Sequence, residues 1–442
     1  MCSKTSESSK LSFFFIPFHI FYPFSFLFCI SEKKKKKKML HKNQYNTHRT
    51  NKSSLTIVVK IGTSSICNEL THFPLLSNLS GLVEAVLHLR SQGHRVVLVT
   101  SAAVGTGLRR LNMAEKPSKL AARQAVAAVG QGRLMALYDD LFGQFGQPVA
   151  QILLTKNDLA DRSQYLNAVN CLEELLDMGV VPIVNENDTI STQGIRFGDN
   201  DTLSAVMAGM IKADYLFLLT DVDCLYTDNP RTNPEAKPVL VCDDMVKLRE
   251  QVSVSSMGSS LGTGGMATKL IAADLAIAAG VITIITNGSK PKNIFEIIEA
   301  DRLDATEGKH PLHTRFTAKD NPLLDRKWWI QYGLHTAGSV FVDEGAAKAM
   351  LTPRIKSSLF AAGIVDVQGS FVAQQAVQII YRKKKGDSVE DIVIGKGIVN
   401  YSSIEISRIK RCRSTEIPNI LGYVDSDCVI HRDNLVRTAQ DV

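Results

Sequence analysis

Short runs rich in β-branched residues alternate with helical segments from Leu55 to about Thr286. The runs at 56–60, 95–100, 149–154, 181–184, 215–220 and 281–286 predict strands, and those at 75–91, 120–145, 164–178, 202–211 and 266–279 predict helices. Strands separated by helices form mostly parallel sheets with helices on both faces. The pattern therefore predicts an α/β fold, in which ligands bind beyond the carboxyl ends of the strands.

The positive charge of the chain is concentrated near its start. The 442 residues carry a formal net charge of +7, and residues 1–38 contain eight Lys against two Glu, so the remainder is nearly neutral. A nearly neutral remainder argues against nucleic acid as the main partner, because binding to a phosphate backbone requires a basic patch. The length predicts two or three domains.

Residues 1–50 need a separate interpretation. Residues 11–30 are apolar and as long as a membrane span, and six Lys follow them, as in a signal anchor. However, Pro17, His19 and Pro23 interrupt the run, and a Phe-rich block followed by pure Lys is what translation of an untranslated region would give. We expect residues 1–50 to be a leader that is disordered or not translated, with Met39 as the start, and a true targeting segment is the alternative.

The cysteines give no sign of a disulfide framework or a metal site. Eight cysteines occur, none in a Cys-x-x-Cys pair and none beside a His cluster. This usage suits a reducing compartment such as the cytoplasm. No metal ligands are predicted.

Polar motifs follow four of the predicted strands, which places them at one edge of a parallel sheet. The motifs begin at Lys60, Ser101, Asn185 and Thr220. After the 181–184 strand come two clusters, Asn185–Asp188 and 198–201, and their four carboxylates suggest binding of an amine, a cation or metal-bound phosphate. The alternative is a solvated loop whose Asn and Asp residues make turns and a helix N-cap.

A glycine-rich turn at 262–265 opens the helix predicted from Met266. Backbone amides of such a turn approach phosphate oxygens at the positive end of the helix, although the spacing fits neither a Walker A loop nor a dinucleotide fingerprint. Lys60 and Lys269 form a candidate cationic pair, since positioned cations stabilise the charge of a phosphoryl group in transfer. A flexible glycine-rich loop and solvated lysines are the alternatives.

The pattern of apolar residues changes in the last third of the chain. Around 300–325 the periodicity is lost, which predicts a linker, and short β segments follow at 339–342, 363–367, 376–381 and 391–399, with one helical piece at 402–410. This pattern predicts a small β-rich domain, a barrel or a sandwich.

Five motifs together carry a resemblance to a known family. They are Val59-Lys60-Ile61-Gly62-Thr63-Ser64, Val184-Asn185-Glu186-Asn187-Asp188, Phe197-Gly198-Asp199-Asn200-Asp201, Leu219-Thr220-Asp221 and Gly262-Thr263-Gly264-Gly265-Met266. The chain resembles the gamma-glutamyl kinases, or glutamate 5-kinases, of the amino acid kinase family, most closely the fungal form. The end of the chain resembles a PUA domain.

The resemblance implies a fold and a division into domains. It implies an αβα sandwich with a largely parallel central sheet at 51–300, a linker at 301–330 and a small PUA-like β-barrel at 331–442. It also implies transfer of the γ-phosphoryl group of ATP to the side-chain carboxylate of L-glutamate, the first step of proline biosynthesis. Such a carboxylate is already ionised at neutral pH, so no general base is required.

The resemblance also implies roles for individual residues. Lys60 and Lys269 would stabilise the phosphoryl group, and Asp201 would hold their ammonium groups. Glutamate would be bound by Ser101, Asp188, Asn200, Asn185 and Asp199. ATP would be bound by Lys60, Gly62, Thr220, Asp221, Thr263, Gly264, Gly265, Met266, Ala267, Thr268 and Lys269, with Mg²⁺ carried mainly by the nucleotide phosphates.

Several wider expectations follow from the resemblance. It implies inhibition by proline, a homo-oligomer, glutamyl phosphate reductase as a partner, a cytoplasmic location and no membrane association. A kinase acting on N-acetylglutamate or aspartate is the nearest alternative, and an RNA-binding protein acting through the PUA-like domain is the alternative from another class. One departure is Ala102, where the family usually has Gly; if this position needs a positive φ, Ala costs about 1 kcal/mol or more.

Overall fold

The computed structural model describes residues 53–191, 200–230, 232–252, 265–302, 310–319, 322, 325–352, 357–385, 388–424 and 426–438. The predicted leader at 1–50 lies outside these ranges, and so do three of the predicted site residues, Asp199, Thr263 and Gly264. In the described ranges no helix is long and apolar enough to cross a membrane.

The predicted alternation of strands and helices is confirmed, and the ends of the elements predicted at 56–286 are shifted by at most two residues. The strands are β1 (Thr56–Ile61), β2 (Arg95–Val99), β3 (Val149–Leu154), β4 (Val181–Glu186), β5 (Tyr215–Thr220), β6 (Leu225–Tyr226), β7 (Pro238–Val239), β8 (Val241–Cys242), β9 (Ile282–Asn287), β10 (Thr314–Phe316), β11 (Thr336–Val342), β12 (Ile364–Gly369), β13 (Ala376–Lys385), β14 (Ser388–Ile398) and β15 (Leu435–Arg437).

The α-helices are α1 (Thr63–Ile66), α2 (Leu76–Ser91), α3 (Ala103–Arg110), α4 (Leu120–Gly143), α5 (Lys156–Ala160), α6 (Arg162–Asp177), α7 (Asn200–Met210), α8 (Met245–Gln251), α9 (Met266–Ala278), α10 (Asn293–Arg302), α11 (Asp325–Trp328), α12 (Glu344–Leu351), α13 (Ser403–Ile409) and α14 (Ile417–Leu421). A π-helix covers Trp329–Gly333, and short 3-10 helices cover Ala361–Gly363, Ser414–Glu416 and Arg432–Asn434.

One large sheet organises the first three quarters of the chain. Its strand order is β3-β4-β2-β1-β5-β9-β10-β8, and the first six strands are parallel to one another. Helical crossovers join these strands, which is the connection that parallel pairing requires. The carboxyl ends of β4, β2, β1 and β5 therefore lie side by side at one edge.

Helices cover both faces of this sheet, so the predicted αβα sandwich is confirmed. Ile57 and Val59 of β1 belong to a hydrophobic cluster that includes residues of α2, α4 and α10, whereas Val58 belongs to a cluster with residues of α6, α7 and α9. Successive strand residues point to opposite faces, so an uninterrupted apolar strand is buried on both sides.

The segment predicted as a linker contains structure that belongs to the large sheet. β10 pairs antiparallel with β9 and parallel with β8, and α10 extends to Arg302. Further on, Trp328 and Trp329 are buried in the cluster on the α9 face, where their indole nitrogens donate hydrogen bonds to the carbonyls of Leu275 and Leu159. A three-residue strand has too little periodicity to be recognised from sequence, because its long-range pairing defines it.

The predicted β-rich domain is confirmed as a second sheet with its own core. This C-terminal sheet has the order β12-β11-β13-β14-β15, and residues of α12 and α13 pack on it. It contacts the π-helix that follows α11 and the residue after it: Lys396 of β14 donates hydrogen bonds to the carbonyls of Gln331 and Leu334. Burial at this contact lowers the pKa of Lys396 to about 8.

Candidate active site

Three buried charged residues meet at the carboxyl edge of the large sheet. Lys60 lies near the end of β1, Asp201 is the second residue of α7, and Lys269 lies in the first turn of α9. Lys60 shares the strand face of Val58, the face that α7 and α9 cover, because strand side chains repeat every two residues. The strand order and the two helix starts thus bring together residues far apart in sequence.

Asp201 bridges the two lysines. Its Oδ1 lies 2.5 Å from Lys60 Nζ, and its Oδ2 lies 3.1 Å from Lys269 Nζ. Thr268 Oγ1 also donates to Oδ2 at 3.0 Å. The exposed fractions are 5% for Lys60, 0% for Asp201 and 7% for Lys269. The carboxylate therefore fixes two ammonium groups in one place.

The charge state of this cluster follows from its contacts. Burial by itself would raise the pKa of Asp201, but the ammonium groups of Lys60 and Lys269 outweigh it and hold the pKa well below the usual value for a carboxyl. Asp201 is therefore ionised at neutral pH. Its place in the first turn of α7 also stabilises the negative charge, because the N-terminus of a helix is positive.

Asn200 links the ends of β2 and β4 next to this cluster. Its Nδ2 donates to the carbonyl of Thr100 at 2.7 Å, to Ser101 Oγ at 3.0 Å and to Asn185 Oδ1 at 3.0 Å. Asn185 Nδ2 in turn donates to Gln131 Oε1 at 2.8 Å. The predicted substrate residues Ser101, Asn185 and Asn200 are thus joined in one network.

A polar pocket opens beside this network. Its lining includes Ser101, Asn185, Asp188 and Asn200, the motif residues Thr63 and Glu186, and Ala102. It also includes several residues that the sequence analysis did not indicate: Ala103, Val104, Gly105, Lys116, Leu120, Arg123, Gln124 and Ser191. Burial and the nearby charge of Glu186 raise the pKa of Asp188 to about 6, against the opposing effect of Lys116. Asp188 is therefore mostly ionised at neutral pH and available to an ammonium group.

Ala102, the residue that departs from the family pattern, has a left-handed backbone at the edge of this pocket. Its φ is 78° and its ψ is 12°, and it precedes the first residue of α3. A residue with a Cβ is sterically disfavoured in the left-handed backbone conformation, whereas Gly is not. Ala102 therefore has the positive φ at which Ala was expected to be less favourable than Gly.

Two glycines bring α3 close to α4 and so fix this side of the pocket. A Cβ at Gly130 would lie 1.8 Å from the carbonyl oxygen of Ala103, and a Cβ at Gly107 would lie 2.0 Å from that of Val126. No side chain fits at either position without moving backbone. The sequence analysis did not predict this role for Gly107 and Gly130, because a glycine inside a helical pattern does not by itself indicate where two helices cross.

The described members of the predicted ATP set lie along the same edge. Gly62 precedes α1, and a Cβ there would be 3.6 Å from Lys60 Nζ. Thr220 ends β5, and its hydroxyl donates to Asp221 Oδ1 at 3.0 Å. At the start of α9 the Gly265 amide donates to Thr268 Oγ1 at 3.1 Å; Met266, Ala267 and Lys269 occupy the same first turn. The arrangement presents two cations and a positive helix end, which suits a polyphosphate.

Comparison with known proteins matches two parts of the chain to known families. The model of the amino acid kinase family matches residues 55–287, and that of the PUA domain matches residues 338–421. Among solved structures, a UMP kinase from Ureaplasma parvum is similar over 60% of this chain and 99% of its own, with 15% identity and a TM-score of 0.41.

Two relatives are matched over nearly the whole of their own length. The chain is 56% identical to a probable glutamate 5-kinase from Schizosaccharomyces pombe over 88% of this chain and 94% of that protein. It is 50% identical to a glutamate 5-kinase from Nostoc punctiforme over 86% of this chain and 99% of that protein. The chain therefore belongs to the glutamate 5-kinases of the amino acid kinase family.

Proposed function

We propose that this chain transfers the γ-phosphoryl group of ATP to the side-chain carboxylate of L-glutamate, forming L-glutamyl 5-phosphate and ADP. The observation that carries the proposal is the buried Lys60–Asp201–Lys269 cluster next to a pocket lined by Asp188. The cluster suits a phosphoryl group, and Asp188 suits the α-ammonium of an amino acid. Family membership supports the same reaction.

The roles proposed for the charged cluster follow from its geometry. A glutamate carboxylate oxygen attacks the γ-phosphorus, the bond to the β-phosphate oxygen breaks, and no proton is transferred. Lys60 and Lys269 stabilise the negative charge of the moving group, and Asp201 keeps both ammonium groups in place without reorganisation during the reaction. Asp201 is a positioning residue, since both of its carboxylate oxygens already face lysines.

We propose that ATP lies between Gly62, the Thr220-Asp221 turn and the start of α9. Thr263 and Gly264, outside the described residues, belong to the same proposed set. The first-turn amides of α9 and the two lysines fit the negative charge of the phosphates. As in the resemblance to the family, we propose that Mg²⁺ is carried mainly by the nucleotide phosphates, where it would shield their charge.

We propose that Ser101, Asp188, Asn200 and Asn185, with Asp199, bind glutamate. The free α-ammonium of glutamate would face Asp188, and the amide network of Asn200 and Asn185 would fix the distance from that carboxylate to Lys60. N-acetylglutamate lacks the ammonium group, and aspartate is one methylene shorter. Both differences disfavour the alternative substrates.

The predicted domain boundaries at 51–300, 301–330 and 331–442 become a proposal with one change. β10 pairs in the large sheet, and Trp328 is buried in the hydrophobic cluster on the α9 face of that sheet. We therefore assign residues 310–330 to the kinase domain rather than to a linker.

In the C-terminal domain, Arg382 pairs with Asp391 at 2.8 Å and Lys410 with Asp366 at 3.1 Å. These pairs neutralise part of the basic surface, so RNA is not proposed as the main partner.

The remaining assignments come from family membership. We propose inhibition by proline, assembly into a homo-oligomer and use of the product by a glutamyl phosphate reductase, because an acyl phosphate hydrolyses readily and needs prompt consumption. We also propose a cytoplasmic location.

A hydroxamate assay tests the reaction directly. The purified protein is incubated with MgATP, L-glutamate and hydroxylamine, which traps an acyl phosphate as a hydroxamate. We expect hydroxamate that depends on glutamate and decreases when proline is added. If hydroxamate formed from N-acetylglutamate or aspartate but not from glutamate, the proposed substrate would be wrong. The assignment of the fold would be unaffected.

A further inference from the structure

The substrate pocket contains two cations that the proposed reaction does not use. Lys116 lies between α3 and α4, and Arg123 lies in the first turn of α4, and both line the same pocket as Ser101, Asp188 and Asn200. The phosphoryl group already has Lys60 and Lys269. A second cationic pair in the pocket therefore requires another anionic partner.

Arg123 is held at the pocket by a rigid element. Gln124 Nε2 donates to the carbonyl of Ser191 at 3.2 Å, and Gln131 Oε1 accepts from Asn185 Nδ2 at 2.8 Å. These two glutamines are seven residues apart, so they lie on the same face of α4. Together they tie the helix to the segment after β4, which carries Asp188.

In the described part of the chain, Arg123 has an unsatisfied donor. Among the described residues, the Nε atom of Arg123 is buried without a hydrogen-bond acceptor. Leaving a buried charged donor unsatisfied is unfavourable, and a bound anion removes that cost.

The charges of the pocket also influence one another. Burial lowers the pKa of Lys116, the neighbouring Arg123 lowers it further, and Asp188 acts in the opposite direction. Asp188, Lys116 and Arg123 thus lie within electrostatic range of one another, and Glu186, whose Oε1 accepts a hydrogen bond from Ser191 Oγ at 2.7 Å, adds a second carboxylate to the pocket. The Asp188 carboxylate and the two cations are the complement of an α-amino acid, which presents one ammonium and one carboxylate on the same carbon.

We propose that Lys116 and Arg123 bind the α-carboxylate of glutamate while Asp188 binds its α-ammonium. The inference rests on the proposed function, because the side-chain carboxylate must face Lys60 and Lys269 to react. The guanidinium of Arg123 supplies two parallel donors that match a carboxylate, and Lys116 adds a second charge.

This assignment makes the cation pair a determinant of specificity. 4-Aminobutyrate has the reacting carboxylate and the amine of glutamate but lacks the α-carboxylate. The pair therefore accounts for discrimination between glutamate and 4-aminobutyrate, whereas Asp188 accounts for discrimination between glutamate and N-acetylglutamate. Because different residues account for the two kinds of discrimination, substitutions can test them separately.

The test compares R123Q and K116Q with R133Q in the hydroxamate assay. Arg133 lies on the same helix but is exposed and outside the pocket, so it is the matched control. We expect R123Q and K116Q to raise the KM for glutamate by about 10- to 100-fold with kcat changed less than threefold, from the loss of a charge-assisted hydrogen bond. R133Q leaves both values unchanged.

The second readout is the ratio of kcat/KM for glutamate to that for 4-aminobutyrate. The loss of the α-carboxylate partner lowers this ratio by about 10-fold or more in R123Q and K116Q, while R123K retains part of it. A ratio equal to that of the wild type in both Gln variants overturns the inference while leaving the reaction intact. A wild-type protein without glutamate-dependent hydroxamate would instead reject the proposed function itself.

Discussion

Replacing Ala102 with Gly is expected to change the free energy of unfolding by less than about 1 kcal/mol, although the change removes a buried methyl group. Ala102 is 5% exposed and has a φ of 78°. Three terms decide the outcome. Release of the left-handed strain contributes about 1–2 kcal/mol, whereas loss of the methyl costs about 0.8 kcal/mol and the greater freedom of Gly in the unfolded chain costs about 0.5–1 kcal/mol.

Ala103 provides the matched control for these terms. It is 3% exposed and is the first residue of α3, where the backbone is helical. Replacement of Ala103 by Gly loses the same methyl and the same chain entropy but releases no strain. We expect Ala103→Gly to lower the free energy of unfolding by about 1.3–1.8 kcal/mol, and the two variants to differ by about 1–2 kcal/mol.

Urea unfolding followed by circular dichroism measures the difference. The midpoint concentrations of the two variants are compared with those of the wild type, provided that the slope of the transition is unchanged, so that a midpoint shift reports stability alone. The reasoning is refuted if Ala102→Gly lowers the midpoint as much as Ala103→Gly does. That result would mean that the left-handed backbone at Ala102 carries no strain.

Three further predictions concern the charged cluster, the pocket and the helix crossing. Lys269→Met should lower kcat by about 100- to 1000-fold in the hydroxamate assay, since one preorganised cation is lost; a loss below tenfold would contradict its role. Because the pKa of Asp188 is raised to about 6, its protonation should lower kcat/KM for glutamate about tenfold per pH unit below that value, and Asp188→Asn should have a low kcat/KM without this dependence. The raised pKa of Asp188 stabilises the folded state only at low pH, and this contribution is lost as the pH rises through about 6. Near neutral pH and above, Asp188→Asn should therefore unfold at a higher urea concentration than the wild type. A lower midpoint there would contradict the burial of this carboxyl. Gly130→Ala should destabilise the protein by about 2–3 kcal/mol, because its Cβ would lie 1.8 Å from the Ala103 carbonyl oxygen, and an unchanged urea midpoint would exclude the close crossing of α3 and α4.

Much of the fold was predictable because it rests on local periodicity. Runs such as Tyr215–Thr220 are buried on both faces, so they read as continuous apolar strands, and the helices between them have the length of crossover connections. The edge position of Lys60 and Asn185 followed from the same rule, because polar residues at the ends of parallel strands meet at one edge.

Features defined by distant partners were not predictable. β10 is a strand only because it pairs with β9, and Trp328 is a core residue only because Leu275 lies above it. Lys116 and Arg123 belong to no motif, and their approach to the substrate pocket depends on the glutamine contacts of α4.

The sequence by itself determined the α/β class, the second β-rich domain and the residues that end the central strands, because strand and helix periodicity and the polarity of strand ends are local properties. Only the tertiary structure decided that Asp201 bridges Lys60 and Lys269 and that Ala102 has a left-handed backbone. These features depend on interatomic distances between elements separated by up to about two hundred residues, and such distances are fixed by packing rather than by any local pattern.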